Sequence, residues 1–137
     1  MTHKIRVSCS KSNLKTIRDF VNSVLGEHEI PEKEMNLIIV AIDEVCSNLI
    51  IHSHSRNSAD ELELKITSES EILIFEIIDK GEIFNITDYT VPTMDKVIKN
   101  KKNGGIGLIL VKMIMDRIQI EKSEGLNVCR LYKSLAR

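Results

Sequence analysis

The neighbouring segments "DELELKITSE" and "SEILIFEIID" constrain the fold more than any other part of the chain. The first alternates Leu62, Leu64 and Ile66 with polar residues, the period of a half-buried strand. The second is almost continuously apolar, as a strand in the middle of a sheet would be. Only a short "SESE" turn lies between them. A parallel pairing needs a crossover of about a dozen residues or more, so these two strands must fold back on each other as an antiparallel hairpin.

The pattern recurs at the other end. "IQIEKSEGLNVCRLYKSL" reads as strand, turn at Glu124-Gly125 and strand, with Val128 and Leu131 as its apolar marks. At the start, "HKIRVSCS" sets Ile5, Val7 and Cys9 on alternate positions, which suits an edge strand. Between these, Leu14, Ile17, Val21, Val24 and Leu25 recur at helical spacing, with Ser10 or Ser12 as candidate N-cap and Gly26 placed to end the helix. A second, longer helix begins after Pro31, with Glu32 and Glu34 in its first turn and Met35, Ile38, Ile39, Ile42, Val45 and Leu49 on its buried face. A third starts after Gly107 and carries Leu108, Val111, Met115 and Ile118 at helical spacing.

The expected order is strand, helix, helix, strand, strand, a long connection, helix, strand, strand. Adjacent strand pairs leave the helices only one face of the sheet to cover. The expected fold class is therefore α+β: a two-layer α/β sandwich with a mixed, mainly antiparallel sheet and helices on one face. A doubly wound parallel sheet fits poorly. With 137 residues, 42% of them hydrophobic, the chain is expected to form a single domain over residues 1–137. Residues 80 to 103 contain only "MDKVIKN" as a helical hint; connections of that length are more often functional than idle, and we read this one as a lid at about 86–103.

A formal net charge of -1 gives no general attraction to nucleic acid or to an anionic membrane, although Lys99 to Lys102 form a local basic patch. The longest apolar runs are too short to span a bilayer and the N-terminal stretch has no leader-like apolar core, so a soluble cytoplasmic protein is expected. Cys9, Cys46 and Cys129 are odd in number and widely spaced, and read as reduced thiols in or near the core.

Three polar constellations interrupt the apolar pattern. Glu44 and Asn48 stand at i and i+4, so a carboxylate and a carboxamide oxygen can address one small volume. That suits Mg²⁺, which takes oxygen ligands and retains waters, while the carboxylate can accept a proton or order a water. Asp79 ends the central strand and is followed at once by Gly81; an acid there can accept a hydrogen bond from an adenine amine while the glycine lets the backbone approach the ring. Gly104, Gly105 and Gly107 precede a helix whose N-terminus favours anions, with Lys101, Lys102 and Asn103 as further donors. Each has an ordinary alternative: a solvated helix pair, a turn leaving a strand, a flexible linker. Neither a Walker loop nor a dinucleotide fingerprint is present around the glycines.

Taken together and in this order, "AIDEVCSNLIIHS", "IIDKGEIFN" and "NGGIGLILVKMIMDRI" resemble the Bergerat-fold ATPases, and most closely the bacterial anti-sigma factor serine/threonine kinases. The resemblance spans nearly the whole chain and leaves no stretch for the dimerisation helices of a histidine kinase. It implies ATP and Mg²⁺ as cofactors, Asn48 as the metal ligand and Glu44 as the catalytic base or water-orienting carboxylate. Asp79 would read adenine, Gly81 would line the ring and Phe84 would pack beneath it. Lys102, Asn103, Gly104, Gly105, Ile106, Gly107 and Leu108 would surround the phosphates. Asn127 stands where such kinases often carry a threonine facing the nucleotide, and Lys101 or Lys102 replaces an arginine common just before the glycines. The partners implied are an anti-sigma-factor antagonist as phosphorylation substrate, a sigma factor or related regulator as captive, and a second copy in a homodimer. No direct contact with nucleic acid or membrane is implied.

Overall fold

The computed structural model describes residues 1–53, 60–80 and 105–135. The elements run β1 (Thr2–Ser8), α1 (Asn13–Leu25), α2 (Glu32–Asn48), a π-helical turn (Leu49–Ser53), β2 (Glu61–Glu69), β3 (Ile72–Asp79), α3 (Gly105–Ile114), β4 (Arg117–Ser123) and β5 (Leu126–Ser134). This is the order expected from the sequence. The lid at 86–103, together with Gly81, Phe84, Lys102, Asn103 and Gly104, lies outside the described residues.

The strands form one five-stranded sheet in the order β1-β2-β3-β5-β4, with β1 at an edge and β3 in the centre. Every pairing is antiparallel among the described residues, so the mixed sheet expected from the sequence is a purely antiparallel one. Two hairpins, β2–β3 and β4–β5, and two long connections, from β1 to β2 and from β3 to β4, account for this. The β2–β3 turn places Ser70 at φ 46° and Glu71 at φ 63°, and the β4–β5 turn places Glu124 at φ 52° and Gly125 at φ 79°. Two consecutive left-handed residues match the right-handed twist of the flanking strands, which is why both hairpins close in two residues.

The alternation in each strand sorts the sheet into an inner and an outer face. Ile5, Leu64, Ile77, Cys129 and Ile120 stand in one cross-strand row, and Ile66, Phe75, Leu131 and Ile118 in the next. Helices cover this face: α2 packs between α1 and α3, and α1 also touches β1. Ile17, Val21 and Leu25 of α1 and Ile38, Ala41, Ile42, Val45 and Cys46 of α2 are buried against it. The opposite face carries ion pairs in register, with Arg130 bridging Glu76 and Glu121, and Lys65 beside Glu76. Among the described residues no helix is long and apolar enough to cross a membrane.

Three local expectations are corrected. Ser12 occupies the N-cap position of α1 in a helical conformation and makes no side-chain cap; its hydroxyl meets that of Ser10 at 2.9 Å instead. Helix α3 starts at Gly105 rather than after Gly107, so two of the three glycines form its first turn. It also ends at Ile114, which puts Ile118 in β4 rather than at the end of the helix. Periodicity alone could not separate these, because Met115 and Ile118 face the same core from a helix end and from a strand.

Candidate nucleotide site

Among the described residues, the buried polar side chains are Asn48, Asp79 and Asn127, at 6%, 3% and 5% exposure. A core this apolar tolerates polar groups only where they have partners or a task. Asn48 is the last residue of α2, immediately before the π-helical turn. Asp79 ends β3, and the strand register sets it directly opposite Asn127 near the start of β5. Both point to the inner face, in the same row as Val7 and Leu62.

Burial dominates the chemistry of the three thiols. Burial pushes the Cys129 thiol up to about 12, with the charge of Asp79 adding to it. Burial pushes Cys9 up to about 11, with Asp60, Asp79 and Glu61 contributing. The Cys46 thiol on α2 is also raised, first by burial, then by Asp43, by its two fellow thiols and by Asp79. All three thiols are free, as expected from their spacing.

Glu44 is half-buried one turn before Asn48. The Asn48 Nδ2 group donates to the Glu44 main-chain oxygen at 2.7 Å and to Glu44 Oε1 at 3.2 Å. With the amide hydrogens committed to Glu44, the carboxamide oxygen is turned to the other side. That arrangement fits Mg²⁺: one hard oxygen from the chain and a carboxylate held close by. Among the described residues no three His, Cys, Asp or Glu side chains gather into a metal site. A magnesium ion here would therefore complete its shell with phosphate oxygens and water.

Helix α3 packs against α2, and the backbone N–H groups of Gly105, Ile106, Gly107 and Leu108 are the first four of α3. No intrahelical acceptor exists for such groups, and the helix dipole adds positive charge, so this end suits an anion. A cavity of about 410 Å³ opens at the strand ends, lined by Arg6, Glu63 and Ile78 of the outer face and by Leu62 and Asp79 of the inner row; it shares Asp79 with the candidate site, while neither Glu44 nor Asn48 lines it. The three buried polar side chains Asn48, Asp79 and Asn127, with Glu44 hydrogen-bonded to the first, are the stronger chemical signal. Sequence patterning missed the π-helical turn that follows Asn48; the run "NLIIHS" carries no mark that separates it from ordinary helix.

The family model for the histidine kinase-like ATPase domain matches residues 7–133. The chain belongs to this family. Its similarity to the serine-protein kinase RsbW of Bacillus subtilis (strain 168) is 20% identity over 129 residues, covering 91% of this chain and 81% of the relative. The RsbW of Halalkalibacterium halodurans is 26% identical over 128 residues, with 90% of this chain and 78% of the relative covered. The crystal structure of the RsbU and RsbW domains of a Mycobacterium tuberculosis protein superposes with a TM-score of 0.70 at 16% identity, over 100% of this chain and 33% of the other. That likeness supports the ATPase fold, and the curated relatives bear out the resemblance to anti-sigma factor serine kinases read from the motifs.

Proposed function

We propose that this protein is an ATP-dependent serine/threonine protein kinase of the anti-sigma type, which phosphorylates an anti-sigma-factor antagonist and sequesters a sigma factor or related regulator. The observation that carries the reading is the Glu44–Asn48 pair, with the asparagine amide held by the carboxylate residue and its oxygen left for a cation. The names of the curated relatives support the activity. In this reading Asn48 holds Mg²⁺ and Asp79 accepts a hydrogen bond from the adenine amine, with Asn127 beside it. The first-turn amides of α3 and the residues before them, Lys102, Asn103 and Gly104, hold the phosphates. Gly81 lines the ring and Phe84 packs beneath the pocket.

Glu44 takes the proton of the attacking hydroxyl, or orients that hydroxyl, within one turn of the metal ligand. The metal, when bound, neutralises charge that develops on the transferring phosphoryl group. The assembly is taken to be a cytoplasmic homodimer without contact to nucleic acid or membrane. Asn127 favours a second reading, in which the protein captures its partner in a nucleotide-dependent way with little transfer, because a carboxamide differs in shape from the threonine common at that place.

Calorimetric titration with ATP, with and without Mg²⁺, tests the site. Binding that needs magnesium and is lost in Asn48→Ala and in Asp79→Ala is the expected result. Absence of binding by the wild type refutes the ATP reading. Glu44→Ala should still bind ATP and lose transfer to the antagonist; transfer retained in that variant removes Glu44 from the chemistry.

A further inference from the structure

The inner-facing positions of β5 are Asn127, Cys129, Leu131 and Lys133. A lysine in that series is out of place unless its ammonium finds acceptors. Lys133 Nζ donates to the main-chain oxygen of Ile114, the last residue of α3, at 3.0 Å in a part-buried contact. A second tie lies next to it: the Ser134 N–H donates to Asp116 Oδ2 at 2.6 Å, and the Asp116 N–H donates to the Tyr132 oxygen at 2.8 Å. The C-terminal end of α3 is therefore clamped to β5, the same strand that carries Asn127 at its other end.

We propose that Lys133 is a positioning residue for phosphate binding: by capping the C-terminus of α3 it fixes the tilt of the helix and so the place of its first-turn amides. This rests on the ATP reading above. A cation at the last carbonyls completes a helix end and complements its dipole. The helix has 10 residues and so a length of about 15 Å, over which a tilt of about 4° moves the far end by about 1 Å. A displacement of that size spoils hydrogen bonds to phosphate. The base end of the site lies on β3 and β5 and does not depend on the tilt. Lys133 thus acts on the phosphates and not on the adenine.

The test compares ATP with adenosine in competition titrations on the wild type, Lys133→Met and Lys133→Arg. The methionine keeps the aliphatic stem and removes the ammonium. The dissociation constant for ATP should rise roughly threefold to tenfold in Lys133→Met, with that for adenosine unchanged. Lys133→Arg, which keeps the cation, should restore ATP binding. Hydrogen exchange should quicken in α3 and not in β2 or β3. Equal weakening of ATP and adenosine, the signature of a merely structural loss, overturns the proposal, as does no change in either. If Lys133→Met does not fold, Lys133→Gln is titrated in the same way and is held to the same outcomes. A wild type that binds no ATP removes the reading on which the proposal rests; a wild type that binds ATP beside an unaffected variant sinks the positioning role alone.

Discussion

Replacing Asn48 by aspartate sets two carboxylates against each other at the centre of the site, and the size of the effect follows from one distance. The Asn48 amide nitrogen lies 3.2 Å from Glu44 Oε1. Two unit charges at that separation repel by about 5 kcal/mol at an effective dielectric constant of 20. Glu44 is only half-buried, so water and salt reduce this to roughly 1–3 kcal/mol. The variant also sets an acceptor against the Glu44 main-chain oxygen, now 2.7 Å from a donor, a loss of about 1 kcal/mol. Asn48→Asp should therefore be less stable by roughly 2–4 kcal/mol at neutral pH, within the total of about 5–15 kcal/mol expected for a domain.

The sign of the pH dependence is fixed by the repulsion. The folded variant holds its extra proton to higher pH than the unfolded chain does, so the penalty is small near pH 4, around the ordinary carboxylate values of about 3.9 to 4.3, and grows as pH rises through the folded pair's titration. Urea unfolding of wild type, Asn48→Asp and Asn48→Ala at several pH values between about 4 and 8 measures it. The alanine variant loses the same hydrogen bonds without adding charge, so its deficit should be flat with pH. A deficit in Asn48→Asp that is also flat would refute the Glu44–Asn48 geometry from which the whole site is built.

Two further perturbations probe the fold. The left-handed residues of the β2–β3 turn, Ser70 at φ 46° and Glu71 at φ 63°, are strained for side chains of their type. Ser70→Asn combined with Glu71→Gly should raise stability by about 0.5–1.5 kcal/mol in urea unfolding, after the extra entropy of glycine in the unfolded chain is deducted; a loss of stability would show that the turn is not of this type. With Cys9 raised to about 11 and Cys129 to about 12, both thiols stay protonated at pH 8, and a disulfide reagent should modify the folded protein far more slowly than the urea-unfolded chain. The unfolded chain ionises its thiols from about pH 8.5, so the stability tied to protonated, buried thiols is fully present below that value and is lost progressively up to about pH 12. Equal labelling of folded and unfolded protein at pH 8 would contradict the burial.

The order of elements, the two hairpins and the single helical layer were legible in the chain, because periods of 2 and 3.6 and the turn residues are local properties of sequence. So was the polar set: Glu44, Asn48 and Asp79 interrupt runs that are otherwise apolar, and interruptions in a buried face show in one dimension. What sequence could not decide are relations between distant residues. That Asp79 stands opposite Asn127 is a matter of strand register, set by how the whole sheet pairs. That Asn48 turns its amide toward Glu44 depends on the rotamers that packing permits. The ends of α3 depend on tertiary contacts as well: glycines cost a helix stability, yet Gly105 and Gly107 lie in its first turn because packing on α2 stabilises the helix they begin. Lys133 falls at an inward position of β5, and only the meeting of β5 with the last carbonyl of α3 gives its ammonium a partner.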